Sequence, residues 1–350
     1  MVYIDQRLQL MRKKSVNLIL IGFGNVGKAF FHLMEEKAER IRIQFDLDLN
    51  LKAIFDVEGG LFSASPIKQN YVLETSARAL ALNPLWKPGL SLGTVLREVE
   101  AGVLVECTSS NIKTGEPGLR HINEALENGW HVATANKGPL AVDFKGLGEK
   151  ARRNRLELKS SGATAAALPA LDVGLYSLAG TEVLAIEGIL NGTTNYILTK
   201  MARGTSYSEA LKEAQAKGIA ERDPSLDVEG WDTAVKLLLI ANAVMGLNLS
   251  LENIEVEGIT GISAQVIEAS KKEGKAIKLL GKVHREHSHI KAEVSLSAVD
   301  RSHPLFGVDG TNKGITYFTD SMGAVTVTGG KSDPRGAAAA LLKDIINIYR

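Results

Sequence analysis

Acidic and basic side chains are concentrated in one stretch of the chain, residues 221–236, with the sequence ERDPSLDVEGWDTAVK. Asp232 and Lys236 are four residues apart, so they share one face of a helix predicted over Asp227–Val244. Such a pair is usually a surface ion pair that contributes less than about 1 kcal/mol to stability. A lysine can also donate a proton to an oxygen atom on which negative charge develops during carbonyl reduction. The spacing alone leaves both interpretations open.

A second lysine, Lys137, follows a short predicted strand at His131–Thr134. Ligands of open α/β sheets bind at the carboxyl ends of the strands, so Lys137 is either a solvated loop charge or a cation directed at a ligand. Reduction of an aldehyde needs hydride at carbon and a cationic donor at oxygen. Lys137 and Lys236 therefore indicate chemistry of that kind, with nearby carboxylates available for a substrate ammonium group.

A glycine-rich loop with the spacing Gly-x-Gly-x-x-Gly lies between a continuous apolar run at Val16–Ile21 and a helix predicted from about Val26 to Arg40. This strand–loop–helix context is typical of dinucleotide-binding proteins. The predicted cofactor contacts in the loop are Gly22, Phe23, Gly24, Asn25, Val26 and Gly27. A turn that is merely structural is the alternative interpretation.

Each glycine of the loop has a separate predicted role. Gly22 allows a tight turn, Gly24 lets the backbone approach a pyrophosphate, and Gly27 permits close packing of the helix on the strand. The same residues spell GxxxxGK, but a phosphate-binding P-loop needs a hydroxyl residue next, and Ala29 has none. The loop therefore predicts dinucleotide binding rather than P-loop chemistry.

Further cofactor contacts are predicted at the ends of the following strands. Asp56 ends the second strand, where an acidic residue favours a ribose 2′-OH over a 2′-phosphate; a solvated turn aspartate is the alternative. Thr108 and Ser109 follow the third strand and could contact ribose or nicotinamide. Cys107 is expected to fill space at the end of a buried strand rather than to act as a nucleophile.

Alternating strand and helix patterns in the first half of the chain predict βαβ units. Apolar and polar residues alternate from about residue 275 to 328, which predicts antiparallel strands, and the histidine-rich turn at 284–289 is typical of a solvated hairpin. We therefore expect an α/β protein with a Rossmann-type doubly wound parallel sheet and a second α/β (α+β) domain. The boundary is predicted near residue 138.

Composition narrows the class of protein. The 350 residues include 41 Lys plus Arg and 40 Asp plus Glu, for a formal net charge of +1, which is unlike the basic surface of nucleic-acid-binding proteins. No apolar run approaches the roughly 18 residues of a membrane span, and the first residues lack a signal-peptide pattern. The single cysteine excludes a disulfide framework and a thiolate metal cage. We expect a cytoplasmic enzyme without a nucleic-acid or membrane partner and without a metal.

Five motifs occur in the order found in homoserine dehydrogenases, which the chain resembles over nearly its whole length. They are GFGNVG at 22–27, ECTSS at 106–110, HVATANKGP at 131–139, GILNGTTNYIL at 188–198 and ERDPSLDVEGWDTAVK at 221–236. The resemblance implies reversible NADPH- or NADH-dependent reduction of L-aspartate 4-semialdehyde to L-homoserine, in the biosynthesis of threonine, methionine and isoleucine. It implies a cofactor domain of residues 1–138 completed by the helix in 331–350, and a domain of residues 139–330 for substrate binding and homodimerisation.

The resemblance also implies roles for individual residues. Lys236 corresponds to the catalytic lysine, Lys137 to its partner at the substrate carbonyl, and Asp232 to a carboxylate beside them. The positions that match the substrate-binding residues are Glu221, Asp227, Gly192 and Thr193. An inactive dinucleotide-sensing regulatory protein is the alternative, and the intact set of lysines and carboxylates argues against it.

Two departures from the family bear on cofactors and regulation. Many members carry a glutamate where Ser161 aligns, and that glutamate helps to coordinate a monovalent cation. A serine cannot supply the charge, which argues against a sodium site, although backbone carbonyls remain candidate ligands. The chain also ends at Arg350, just after its last predicted helix, so feedback through a C-terminal regulatory domain is not expected.

Overall fold

The structure, a computed structural model, describes residues 14–68, 80–286, 289–330 and 332–350. The chain divides into two compact units. The first unit comprises the residues up to Pro139 together with Lys145–Gly162 and Ala337–Arg350, and the second comprises Leu140–Phe144 and Ala163–Gly336. The sequence-based boundary at 138 would leave residues 145–162 in the second domain. They lie in the first unit because the strand Leu158–Lys159 pairs with His131–Thr134.

The sheet of the first unit has the order β4-β3-β2-β1-β5-β6-β7 among the described residues. Its strands are β1 (Lys14–Ile21), β2 (Leu47–Asp56), β3 (Gly59–Phe62), β4 (Trp86–Pro88), β5 (Val103–Glu106), β6 (His131–Thr134) and β7 (Leu158–Lys159). Strands β1, β2, β5, β6 and β7 are parallel, and the chain order reverses at β1, so the predicted doubly wound fold is confirmed. Leu18, Ile19 and Leu20 of β1 are fully buried, as the continuous apolar run predicts.

Strands β3 and β4 were not predicted, and they add an antiparallel edge to this sheet. From its sequence, the surrounding stretch Glu58–Lys87 is predicted to hold a helix and loops. Strands of three or four residues are too short to give a clear alternation of apolar and polar residues, so the pattern was not detectable. Residues 69–79 of that stretch lie outside the described residues.

The helices that matter for the site lie in both units. They are α1 (Asn25–Phe45), α2 (Leu92–Glu98), α3 (Gly118–Glu127), α4 (Gly138–Arg153), α5 (Gly192–Met201), α6 (Tyr207–Ala216), α7 (Trp231–Met245), α8 (Ala264–Lys272) and α9 (Pro334–Tyr349). Asp56 lies 29 residues after Gly27 instead of the usual interval of about 20, which predicts a long intervening helix, and α1 confirms this by extending to Phe45. Phe30 of α1 and Leu341 of α9 are fully buried in one apolar cluster with β1 and β2, so α9 completes the core of the first unit.

The second unit contains a mixed sheet with the order β13-β12-β8-β10-β11-β9. Its strands are β8 (Val183–Ile189), β9 (Glu255–Val256), β10 (Ala276–Glu286), β11 (His289–Val299), β12 (Lys313–Thr319) and β13 (Ala324–Gly329). The predicted antiparallel pairing in the last third of the chain is confirmed, including the hairpin β10–β11. His287 lies outside the described residues. Strand β8 was not predicted, yet it pairs with both β10 and β12.

Helix α7 packs within the apolar core of the second unit through Leu237 and Leu238, which are fully buried. The predicted helix over Asp227–Val244 is instead two helices, a short one at Ser225–Val228 and α7. Gly230 separates them in a left-handed conformation with φ +90°, and this turn sets the position of Asp227 relative to α7. None of the described helices is long and apolar enough to cross a membrane.

Candidate active site

The glycine loop of the first unit has the geometry predicted for Gly22 and Gly27. Gly22 adopts φ +89°, and a Cβ atom there would lie 2.7 Å from the backbone of Cys107. A Cβ atom on Gly27 would lie 2.0 Å from the carbonyl oxygen of Gly22. The tight turn and the close packing are therefore both confirmed. Nothing lies within 4 Å of the Cβ position of Gly24, so the loop is open where a ligand could approach the backbone.

The loop leads directly into the amino end of α1. Gly24 is the N-cap residue and provides no side-chain cap, so it leaves the first N–H groups of the helix, beginning at Asn25 and Val26, without a side-chain acceptor there. Those N–H groups and the helix dipole suit a phosphate group. Asp56 ends β2, and its Oδ1 accepts a hydrogen bond of 2.8 Å from the Val57 N–H. These features fit a dinucleotide.

A buried carboxylate network connects the loops that follow β5 and β6. Glu106 is fully buried, and its Oε2 lies 2.9 Å from His121 Nδ1. Its Oε1 accepts from the Thr108 backbone N–H at 2.8 Å and from the Thr108 hydroxyl. Asn136 Nδ2 donates to Thr108 Oγ1 at 3.0 Å, while Asn136 Oδ1 accepts from the Gly138 N–H at 3.0 Å. The network thus fixes the two loops against each other.

Lys137 belongs to the loop that follows β6 and is the N-cap residue of α4. Its backbone N–H donates to Ser110 Oγ at 3.0 Å, and the residue is half-buried. The hydroxyl of Thr108 belongs to the network described above, whereas Ser109 is exposed. The predicted contacts of Thr108 and Ser109 with a cofactor stay predictions.

Cys107 has no activated thiolate. Burial and, to a smaller extent, the neighbouring Glu106 carboxylate raise the pKa of its thiol well above the ordinary value. A protonated thiol is a poor nucleophile. This supports the interpretation of Cys107 as a space-filling residue.

The second unit gathers a compact cluster of charged and polar side chains. Lys236 Nζ lies 2.5 Å from Asp232 Oδ2 and donates to the carbonyl oxygen of Leu190 at 3.1 Å. Asn191 Nδ2 donates to Asp227 Oδ1 at 2.7 Å and to Asp232 Oδ2 at 2.8 Å. The side chains of Lys236 and Asp232 are only 16% and 11% exposed. The surface-pair interpretation is therefore wrong for Asp232 and Lys236.

Local structure explains why these side chains meet. Strand β8 ends at Ile189, and Asn191 is the N-cap of α5, where its Oδ1 accepts from the Thr194 N–H at 2.8 Å. The capping bond orients the amide so that its NH₂ group is directed at the two aspartates. Burial, and next the charge of Asp232, raise the pKa of Asp227, while Lys236, Asn191 and Thr193 act in the opposite direction.

Three other residues are predicted to bind the substrate, namely Gly192, Thr193 and Glu221. Thr193 Oγ1 donates to the carbonyl of Ile219 at 3.1 Å and also lowers the pKa of Asp227. A Cβ atom on Gly192 would lie 2.9 Å from the Thr311 carbonyl. Glu221 is exposed, and among the described residues its carboxylate does not join the cluster. Its role in binding an ammonium group stays a prediction.

Sequence reasoning missed Asn191, Glu106 and Lys313. An asparagine directly before the helical stretch GTTNYIL is a readable N-cap signal, but its bridge to two aspartates depends on the fold. Lys313 is only 3% exposed, and its Nζ donates to the carbonyl of Ala165 at 2.7 Å. Burial, and then the nearby positive charge of Lys236, lower its pKa to about 7. No sequence pattern marks this lysine as buried.

The surroundings of Ser161 do not fit a sodium ion. Its backbone N–H and its hydroxyl donate to the buried carboxylate of Asp344 at 2.9 and 2.8 Å. The ammonium group of Lys343 lies 2.8 Å from the same hydroxyl oxygen, so positive charge is already present there. Across the described part of the chain, no group of three or more His, Cys, Asp or Glu residues is arranged to hold a metal ion.

Comparisons with known proteins identify the family. A family model described as homoserine dehydrogenase matches residues 169–346, and one described as its NAD binding domain matches residues 22–159. The chain is 36% identical, over 95% of its length and 98% of the relative's, to a homoserine dehydrogenase of Methanocaldococcus jannaschii. It is 32% identical, over 95% of its length and 96% of the relative's, to an NAD(+)-dependent homoserine dehydrogenase of Pseudomonas canavaninivorans.

A solved structure agrees with these relatives. A crystal structure assigned as a homoserine dehydrogenase of Archaeoglobus fulgidus has a TM-score of 0.83 and 34% identity, and the match covers 95% of this chain and 99% of that one. The chain belongs to the homoserine dehydrogenase family.

Proposed function

We propose that the chain catalyses the reversible, NAD(P)-dependent interconversion of L-aspartate 4-semialdehyde and L-homoserine, with Lys236 as the proton-transferring group. The observation that carries the proposal is the part-buried Asp232–Lys236 pair on α7, with 2.5 Å between Lys236 Nζ and Asp232 Oδ2. An inactive dinucleotide sensor would have no use for a part-buried lysine held in this way. We therefore favour the enzyme.

The hydrogen bonds of Lys236 leave it suited to act on a substrate oxygen. An ammonium group has three N–H donors. Among the described residues, two are directed at Asp232 and at the Leu190 carbonyl, which leaves one for the oxygen at the reacting carbon. When bound, the nicotinamide cofactor supplies hydride to that carbon or accepts it in the reverse direction. Lys236 donates the proton to the developing alkoxide, and Asp232 keeps the ammonium in place.

Carboxylates of the second unit suit the ammonium end of the amino-acid substrate. Asp227 lies in the cluster, and its carboxylate is desolvated, so a cationic partner would stabilise its ionised form. We assign ammonium binding to Asp227 and Glu221, and we assign the backbone of Gly192 and Thr193 to the adjacent substrate loop. A zwitterionic substrate needs paired charges of this kind rather than a strong overall field.

The first unit supplies the cofactor-binding groups. The backbone from Gly22 to Gly27 and the amino end of α1 would hold the pyrophosphate. Asp56, at the end of β2, suits a ribose 2′-OH and favours NAD⁺ over NADP⁺. Lys137 is assigned to the substrate carbonyl, and the Glu106–Asn136 network would position its backbone. We also propose that the chain acts as a homodimer in the cytoplasm, as the family resemblance implies.

The direct test is oxidation of L-homoserine by the purified chain, followed by the absorbance of the reduced nicotinamide, with NAD⁺ and NADP⁺ supplied separately. We expect turnover with at least one cofactor and faster turnover with NAD⁺. L-Serine, which is one methylene shorter, is the matched control substrate and should react far more slowly. Absence of turnover with both cofactors would remove the enzyme assignment in favour of the sensor.

A further inference from the structure

Lys313 is a buried cation that the proposed mechanism does not use. It opens β12, whose next residue, Gly314, pairs with Ile189 of β8. Leu190 follows Ile189 directly, and its carbonyl oxygen is the acceptor of Lys236 Nζ. The lysine therefore enters the sheet at the same strand end that holds the catalytic pair. Full burial of a cation is costly, so a lysine there needs a specific role or compensation.

The charges that face Lys313 come from two elements. Lys236 on α7 lowers its pKa, whereas Asp232 on α7 and Asp333 ahead of α9 raise it; with burial, the result is a pKa of about 7. In the described part of the chain the acceptor of its ammonium group is a backbone carbonyl, that of Ala165, at 2.7 Å. A cation bound to backbone oxygen near a carboxylate is the arrangement in which a monovalent metal ion is also stable.

The segment that holds Ala165 begins at Ser161, the position where the family resemblance implies a monovalent cation. Two ammonium groups already form hydrogen bonds with this segment. Lys343 Nζ donates to the Ser161 hydroxyl, and Lys313 Nζ donates to the Ala165 carbonyl. Within the second unit, a sodium ion at the Ala165 carbonyl would have to share that oxygen with the Lys313 ammonium group and would be repelled by it. We propose that Lys313 is a built-in monovalent cation of the second unit, which takes the place of a metal ion beside the Asp232–Lys236 pair.

Lys313 acts through that pair and is a positioning residue, and this role rests on the proposed function of Lys236. Its positive charge attracts the carboxylate of Asp232 and repels the ammonium group of Lys236. Its bond to Ala165 fixes the backbone after Gly162. Unlike a metal ion, the ammonium group loses its charge as the pH rises through the neutral range, so its contribution has a characteristic pH dependence.

The test compares the intact chain with Lys313→Met, which keeps the apolar stem and removes the charge. Homoserine oxidation is measured at constant ionic strength in sodium, potassium and tetramethylammonium chloride, because the last cation is too large for a carbonyl site. We expect the intact chain to be equally active in the three salts. We expect the ratio of intact to Lys313→Met kcat to be about tenfold below pH 7 and to approach one in alkaline buffer. Dependence of the intact chain on a metal cation, or a ratio that does not change with pH, overturns the proposal.

Lys278→Met is the matched control. Lys278 is also 3% exposed, but its Nζ is paired with Asp309 at 2.8 Å and lies on β10. Its removal should leave the pH dependence of kcat unchanged. If both variants change the pH profile alike, a general effect of losing a buried lysine replaces the specific one.

Unfolding by urea gives a second readout that does not depend on activity. The unfolded chain holds the lysine proton up to about pH 10.4, whereas the folded chain releases that of Lys313 near pH 7. The unfolded state therefore binds an extra proton between these values, and stability rises with pH across that window. Lys313→Met should lack this rise, and an identical rise in both proteins overturns the proposal. Failure of the intact chain to oxidise homoserine would instead count against the proposed function, while the unfolding comparison still decides on Lys313.

Discussion

The glycine loop of the first unit and the charged cluster of the second present different groups to a ligand. The loop presents backbone N–H groups, and its geometry depends on side chains that are absent, since a Cβ atom on Gly27 would lie 2.0 Å from the Gly22 carbonyl. The cluster is built from side chains, in which Asn191 bridges Asp227 and Asp232 and the latter holds Lys236. The first arrangement suits a phosphate that is only bound, and the second suits an oxygen atom that must receive a proton. The comparison predicts that changes in the two regions affect different kinetic constants.

The largest expected effect is on turnover and comes from the second region. Lys236→Ala should lower kcat by about 10²-fold or more, because the proton donor is lost, while the Kd of the cofactor stays within a few-fold. Steady-state kinetics and cofactor fluorescence titration measure the two quantities. Lys217→Ala is the matched control, since Lys217 forms an i,i+4 pair with Glu213 on α6 at 2.6 Å but is 53% exposed. Equal losses in both variants would contradict the distinction between buried and surface pairs.

The next effect is on the cofactor and comes from the first region. Gly27→Ala forces a methyl group against the Gly22 carbonyl, so the loop must open and cofactor affinity should fall roughly ten- to hundredfold. The turnover at saturating cofactor should change much less. Gly148→Ala in α4 is the control, since nothing lies within 4 Å of its Cβ position, and it should leave cofactor affinity unchanged. A Gly27→Ala protein with unaltered cofactor Kd would show that the close approach is not required.

The smallest expected effect is on the KM for homoserine and tests whether Asp227 binds the substrate ammonium group. Asp227→Asn should raise the KM for homoserine by about tenfold, because the amide cannot pair with a substrate ammonium group. The variant should also be more stable than the intact chain near neutral pH. Burial raises the pKa of Asp227, so the folded state binds the extra proton, and stability falls as the pH rises from about 3.9 through the folded pKa.

Asp223→Asn is the matched control for this pH dependence. Asp223 is exposed, and hydrogen bonds from Ser225 lower its pKa, so its linkage has the opposite sign. Urea midpoints near pH 7 and near pH 5 compare the proteins. An unchanged KM in Asp227→Asn would leave Glu221 as the ammonium-binding carboxylate.

The sequence predicts a region well when its contacts join residues that are close together in the chain, and poorly when they join distant residues. The loop is local, so the spacing of Gly22 and Gly27 was enough to predict the turn and the packing. The cluster joins residues far apart in the chain: Asn191 contacts Asp232 across 41 residues, and Lys313 contacts Ala165 across 148 residues. Within the cluster, the sequence shows the i,i+4 spacing of Asp232 and Lys236. It does not show that the two side chains are largely shielded from solvent. Strand β8, which delivers Leu190 and Asn191 to the site, gave no clear signal of its own.

The central claim is that Lys236 donates the proton while the glycine loop of the first unit binds the cofactor. Chemical rescue tests it most directly. Methylammonium added to Lys236→Ala should raise kcat towards a saturating value, because a free amine can occupy the vacated position and donate in its place, whereas Gly27→Ala should not respond. A Lys236→Ala protein that is unaffected by amines, or an equal response in Gly27→Ala, would contradict the account.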